Sequence, residues 1–106
     1  MAWTYLLIAG LLEIAWAIGL KYTYGWTRVV PSIATVLTMI ASFYFLSLAL
    51  RVLPIGTAYA VWTGIGAAGT AILGTLLFNE PRDLLRFVCV ALIIMGVAGL
   101  RIVSGH

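Results

Sequence analysis

Acidic residues are nearly absent from this chain. Glu13, Glu80 and Asp83 are the only ones among 106 residues, and charged residues of both signs make up 8%. A soluble domain carries about a quarter, so the shortage excludes an ordinary water-soluble fold. One cysteine, Cys89, excludes an internal disulfide framework or a cysteine metal cluster within one chain. No glycine-rich phosphate loop ending in lysine occurs, which removes ATP as a driving force. The six cationic side chains are scattered singly, with no basic stripe, so the net charge of +3 does not point to nucleic acid. Nothing suggests a cofactor or a catalysed covalent reaction, and His106 is assigned no role.

Hydrophobic residues are abundant, at 64%. They fall into four runs, near 2–20, 29–50, 55–78 and 84–103, broken at 21–28, 51–54 and 79–86. Each run is about 20 residues, the length a helix needs to cross roughly 30 Å of hydrocarbon. Isolated strands could not satisfy their backbone in lipid. The expectation is an all-α integral membrane protein, a single four-helix transmembrane domain over residues 1–106. The first run lacks a basic leader and carries an acid in its core, so it is expected as the first span rather than a signal peptide.

With four spans, the termini and the second loop share one side. That side carries Arg51, Arg101 and the α-amino group; the other carries Lys21, Arg28, Arg82 and Arg86. The positive-inside rule makes this a weak bias. It permits insertion in both orientations. A single orientation with the first and third loops cytoplasmic stays open.

Glu13 sits near the middle of the first run. An ionised side chain there costs roughly 2.5–3.5 kcal/mol on insertion scales, and proton or cation binding is the usual reason to keep one. Leu6, Gly10, Glu13, Ala17 and Leu20 share a helix face, with Trp16 one turn from Glu13. Trp3 and Trp26 suit the membrane interface; Trp16 lies deeper and reads as a site residue. Thr35, Thr38 and Ser42 line a face of the second helix. The two threonines are expected to bond back to their own helix, whereas Ser42 could hold a carboxylate oxygen. On the third helix Gly56, Tyr59, Thr63 and Gly66 share a face, with Trp62 one turn from Tyr59. Tyr59 and Trp62 suit a cation. Gly64 and Gly66 could act as a hinge or as helix-packing positions. The fourth helix has no deep charge. Cys89, Gly96 and Gly99 read as a close helix–helix seam.

One buried acid and four short helices are little material for a gated pathway, but a dimer would pair two Glu13 carboxylates. Oppositely inserted copies would form an inverted-topology repeat with a midplane site, as in many secondary transporters. Desolvation disfavours an ionised carboxylate. Proton and cation would then compete for the same oxygens, and that competition is the coupling of an antiporter.

The run Pro54-Ile55-Gly56-Thr57-Ala58-Tyr59-Ala60-Val61-Trp62-Thr63-Gly64-Ile65-Gly66, with Glu13 on a short first helix, resembles the small multidrug resistance family over the whole chain. Gly10-x-x-Glu13-x-x-Trp16, Lys21-Tyr22 and Ser42 are similar to its guanidinium-exporter subtype; the polyaromatic-drug exporters usually have a small residue where Trp16 stands. The resemblance implies an antiparallel, dual-topology homodimer in the bacterial inner membrane that exchanges guanidinium for protons at paired Glu13 residues. It implies that Trp16 and Ser42 bond to and orient Glu13, that Tyr59 and Trp62 line the cavity, that Gly10 leaves room beside the site, and that the fourth helices form much of the dimer contact. Cys89 stands where the family often has glycine. Guanidinium is planar and forks its N–H groups onto a carboxylate, which suits a small polar site. Alternatives are a broad quaternary-ammonium exporter, a non-transporting assembly subunit, and one half of a heterodimer.

Overall fold

The computed structural model describes residues 1–104; His106 lies outside the described residues. Four helices follow one another: α1 (Ala2–Tyr22), α2 (Val29–Ala49), α3 (Ile55–Leu77) and α4 (Leu84–Ser104). All four are long and apolar enough to cross a membrane. Helix α1 continues past Lys21 to Tyr22, because a lysine can lie along a helix end with its ammonium in water.

The connections are short and specifically folded. In the first, Tyr24, Gly25 and Trp26 all adopt positive φ. The buried Thr23 holds this turn: its hydroxyl donates to the Leu20 carbonyl (2.8 Å) and accepts from the Trp26 N–H (3.3 Å). Its carbonyl accepts the N–H groups of Thr27 and Arg28. Pro31 falls in the first turn of α2, where its missing N–H breaks no helical bond. Pro54, in an extended conformation, caps α3. Asn79 takes positive φ after α3, and the Asp83 carboxylate accepts the Arg86 N–H (2.8 Å) at the start of α4.

Helix α1 is central, packing against α2 and α3; α4 packs mainly against α3, with its Arg101 guanidinium 4.9 Å over the Trp3 ring of α1, and α2 meets α3 only slightly. The Cα atoms extend 42 × 34 × 16 Å. A helix with side chains is about 10–12 Å across, so the helices lie in little more than one layer. A layer this thin leaves most side chains facing outward. Its core is a small cluster of Leu6, Ala9, Leu46, Ala49, Leu53, Ala58, Val61 and Trp62, where α1, the end of α2 and the start of α3 meet. Between apolar helices in lipid, close approach and dispersion replace the hydrophobic drive. Glycines supply that approach: a methyl group at Gly10 would meet Ile65, at Gly19 would meet Thr35, and at Gly69 would meet Ile14.

Candidate functional site

Glu13 lies at the middle of α1 and is partly buried. Its carboxylate rests directly on α3 at Gly66, where a Cβ would collide with Oε1, Cδ and Cγ of Glu13. Gly66 is thus the seat of the carboxylate, and α3 runs unbroken through both Gly64 and Gly66. Gly64 serves a second close approach, against Val97 of α4. Gly10 packs on Ile65, so it sets the α1–α3 distance that brings Glu13 to Gly66.

The Glu13 Oε1 atom is buried and has no hydrogen-bond partner. An unpartnered buried acceptor costs about 1–3 kcal/mol. A proton on the carboxyl or an N–H group from a bound cation would remove that cost. Trp16 Nε1, one turn away, is also buried without a partner, so in this structure Trp16 and Glu13 do not bond to each other.

Ser42 is fully buried, and its bonds differ from those the resemblance implies. It donates to the Ala9 carbonyl of α1 (2.8 Å) and accepts the Trp62 indole N–H of α3 (3.0 Å). With its one proton on Ala9, it has none to offer Glu13. Its part here is to join three helices and fix the plane of Trp62. The Trp62 ring in turn lies 5.6 Å from Tyr59 and 5.3 Å from Phe43, and Phe43 lies 6.5 Å from Trp16. Trp16, Phe43, Trp62 and Tyr59 therefore form a continuous aromatic chain across α1, α2 and α3. Within that chain Trp62 is buried, while Tyr59 at one end is exposed. π-faces of this kind attract a cation.

Phe43 was not among the expected site residues. The signal was its position beside Ser42 at the head of Phe43-Tyr44-Phe45, but periodicity alone did not place it against Trp62. Thr38 bonds back to the Ala34 carbonyl (2.7 Å) as expected. Thr35 does not: its buried hydroxyl has no partner, because it is pressed against Gly19 where α1 and α2 cross. Cys89 is exposed, and a Cβ at Gly96 or Gly99 would meet nothing within 4 Å, so this stripe of α4 is uncovered within the chain.

The family model described as Small Multidrug Resistance protein matches residues 1–93. A guanidinium exporter of Proteus vulgaris is 54% identical over 104 residues, covering 98% of this chain and 100% of that protein. A guanidinium exporter of Yersinia pestis is 56% identical over 104 residues, with the same coverage of 98% and 100%. One from Citrobacter freundii is 58% identical over 102 residues, covering 96% of this chain and 97% of that protein.

Proposed function

The chain belongs to the small multidrug resistance family, and on that footing we propose that it exports guanidinium in exchange for protons. The family and the four apolar helices make it a multi-pass membrane protein, and the bacterial inner membrane is where a proton gradient could drive it. The observation that carries the reading is Glu13 Oε1, buried, unpartnered and seated on Gly66 beside the aromatic chain. Guanidinium offers N–H donors to that oxygen and a flat face to Trp62 and Tyr59. A proton satisfies the same oxygen, so the two ligands exclude each other.

The working unit in this reading is an antiparallel homodimer sharing two Glu13 residues, one domain per chain. The thin helix layer, the uncovered Cys89–Gly96–Gly99 stripe and the weak charge bias all support it. Alternating access then exposes the paired carboxylates to each side in turn, with α3 bending at Gly64 and Gly66. The test is pH-driven transport in proteoliposomes. Guanidinium should move against the proton gradient and bulky aromatic cations should not; equal exchange of both would instead favour the broad quaternary-ammonium reading. Cross-linking that captured only parallel pairs would defeat the antiparallel arrangement.

A further inference from the structure

A second carboxylate is seated on α3 in the same manner. Glu80, in the connection before α4, rests on Gly74, where a Cβ would collide with its carboxylate. Unlike Glu13, it has a partner: Arg86 Nη2 donates to Glu80 Oε1 at 2.6 Å. The same guanidinium reaches back to the end of α3, with Nη2 donating to the Ala71 carbonyl (3.1 Å) and Nε to the Thr75 hydroxyl (3.2 Å). Arg82 adds a bond to the Thr75 carbonyl (3.3 Å). Glu80 is thereby held at one place.

That place is the mouth of a groove of about 370 Å³ between α1 and α3, whose lining includes Ala17, Lys21, Thr70, Gly74, Phe78 and Glu80. Ala17 is one turn from Glu13 on α1, and Thr70 is one turn from Gly66 on α3. The groove therefore starts one helical turn from the Glu13 seat and runs to the loop end of the helices. Its walls are not wholly apolar. Ser32, Thr38, Ser47 and Thr75 bond back to their own helix carbonyls. Thr70 does not, and its buried oxygen is without a partner. At the mouth the Lys21 ammonium stands over the Phe78 ring, 5.7 Å from its centroid.

We infer that the α1–α3 groove is the route by which cations and protons reach Glu13 from the membrane face bearing the first and third loops, with Arg86 as a positioning residue that holds the Glu80 carboxylate across its mouth. The inference rests on Glu13 as the exchange site. Glu80 has the charge to draw a cation inward, and Arg86 limits how far it swings.

Thiol labelling tests this without relying on transport. With Cys89 replaced by alanine, Ala17→Cys in proteoliposomes should react with a cationic methanethiosulfonate at least roughly tenfold faster than Leu11→Cys on the exposed outer face of α1. Guanidinium chloride should slow it. Arg86→Gln should raise the Ala17→Cys rate roughly tenfold, the scale of one lost charged hydrogen bond. Arg86→Lys should fall between, since an ammonium cannot span Glu80, Ala71 and Thr75 together. If Arg86→Gln fails to fold, Glu80→Gln keeps the Arg86 bonds to α3 and should slow labelling, because the carboxylate that draws the cationic reagent inward is gone while Lys21 and Arg86 remain. In Glu13→Gln the labelling rate should persist and the guanidinium protection should vanish. That separates the route from the substrate: absence of protection in every variant counts against guanidinium at Glu13, while fast labelling at Ala17 still supports the groove. Labelling at Ala17 no faster than at Leu11, or rates unmoved by both Arg86→Gln and Glu80→Gln, would overturn the inference.

Discussion

Two glutamates rest on two glycines of the same helix, Glu13 on Gly66 and Glu80 on Gly74. Glu80 is half exposed at the loop end and already holds a guanidinium group, that of Arg86. Glu13 is at the centre of α1, and its buried oxygen holds nothing. The chain thus displays the same recognition chemistry twice, once satisfied from within and once left for a ligand. A charge-assisted hydrogen bond onto a carboxylate is among the stronger polar contacts available. At Glu80 it ties the start of α4 to the connection seated on Gly74; at Glu13 it would tie the protein to its cargo only while the cargo is present. Availability, and not the mere presence of an acid, separates a transport site from a structural one.

The largest effect expected from breaking this contrast is at Glu13 itself. Glu13→Gln keeps the shape over Gly66 and removes the ability to exchange a proton for a cation. Proton-coupled guanidinium uptake into proteoliposomes should fall to the level of protein-free vesicles, while the dimer still elutes as a folded species. Full coupled transport in this variant would remove the basis of the functional reading. The matching change at the other seat, Glu80→Gln, should leave coupled exchange measurable.

Next in size are the seats. A methyl group at Gly66 meets three atoms of the Glu13 side chain, which is fixed on a packed helix. Overpacking of this kind costs about 1–3 kcal/mol, so Gly66→Ala should weaken guanidinium binding or exchange by about tenfold or more. Gly74→Ala meets Glu80, which is carried by a connection and can shift. It should therefore have the smaller effect on exchange. Measuring guanidinium affinity and turnover for both alanine variants checks the order; equal losses would mean that the glycines act through general helix packing and not through the carboxylates.

Much of this contrast was legible in the sequence, and the rest was not for identifiable reasons. Hydrophobic run length was enough for four membrane helices, because lipid leaves few alternatives. Glu13 stood out because its surroundings along the chain are uniformly apolar. Helical periodicity also put Trp62 one turn from Tyr59, and their rings do meet. What periodicity does not contain is the relative register of different helices. That register decides that Glu13 faces Gly66, that Ser42 serves Ala9 and Trp62 instead of Glu13, and that Phe43 bridges Trp16 and Trp62. Gly66 was read as a hinge or a packing position, and what packs on it is the Glu13 carboxylate itself. The Glu80–Arg86 pair was hidden because both residues fell in a polar break, where a charge usually needs no partner.

A finer test concerns the support of the aromatic chain. Trp62→Phe retains a π-face and loses the N–H that reaches Ser42 at 3.0 Å. Ser42 keeps its own bond to Ala9, so α1 and α2 stay joined. The loss of one neutral hydrogen bond is about 0.5–1.5 kcal/mol, so guanidinium affinity should weaken by roughly two- to tenfold. Equilibrium titration of the variant reads this directly. A far larger loss would show that the indole N–H contacts the substrate and not only Ser42.

The smallest effect should be on stability at the satisfied seat. Arg86 and Glu80 are 27% and 45% exposed, and pairs in such surroundings contribute about 0.2–1 kcal/mol. Removing the charge in Glu80→Gln leaves Arg86 bonded to Ala71 and Thr75, so α4 stays anchored to α3. The midpoint of thermal unfolding in detergent should shift by only a few degrees, and less at high salt, where the wild-type pair is itself screened. A large, salt-insensitive loss would make the pair a structural clasp first. A small one, alongside faster labelling of the groove at Ala17 in Arg86→Gln, would mean that Arg86 matters for where Glu80 stands more than for whether the helices hold together.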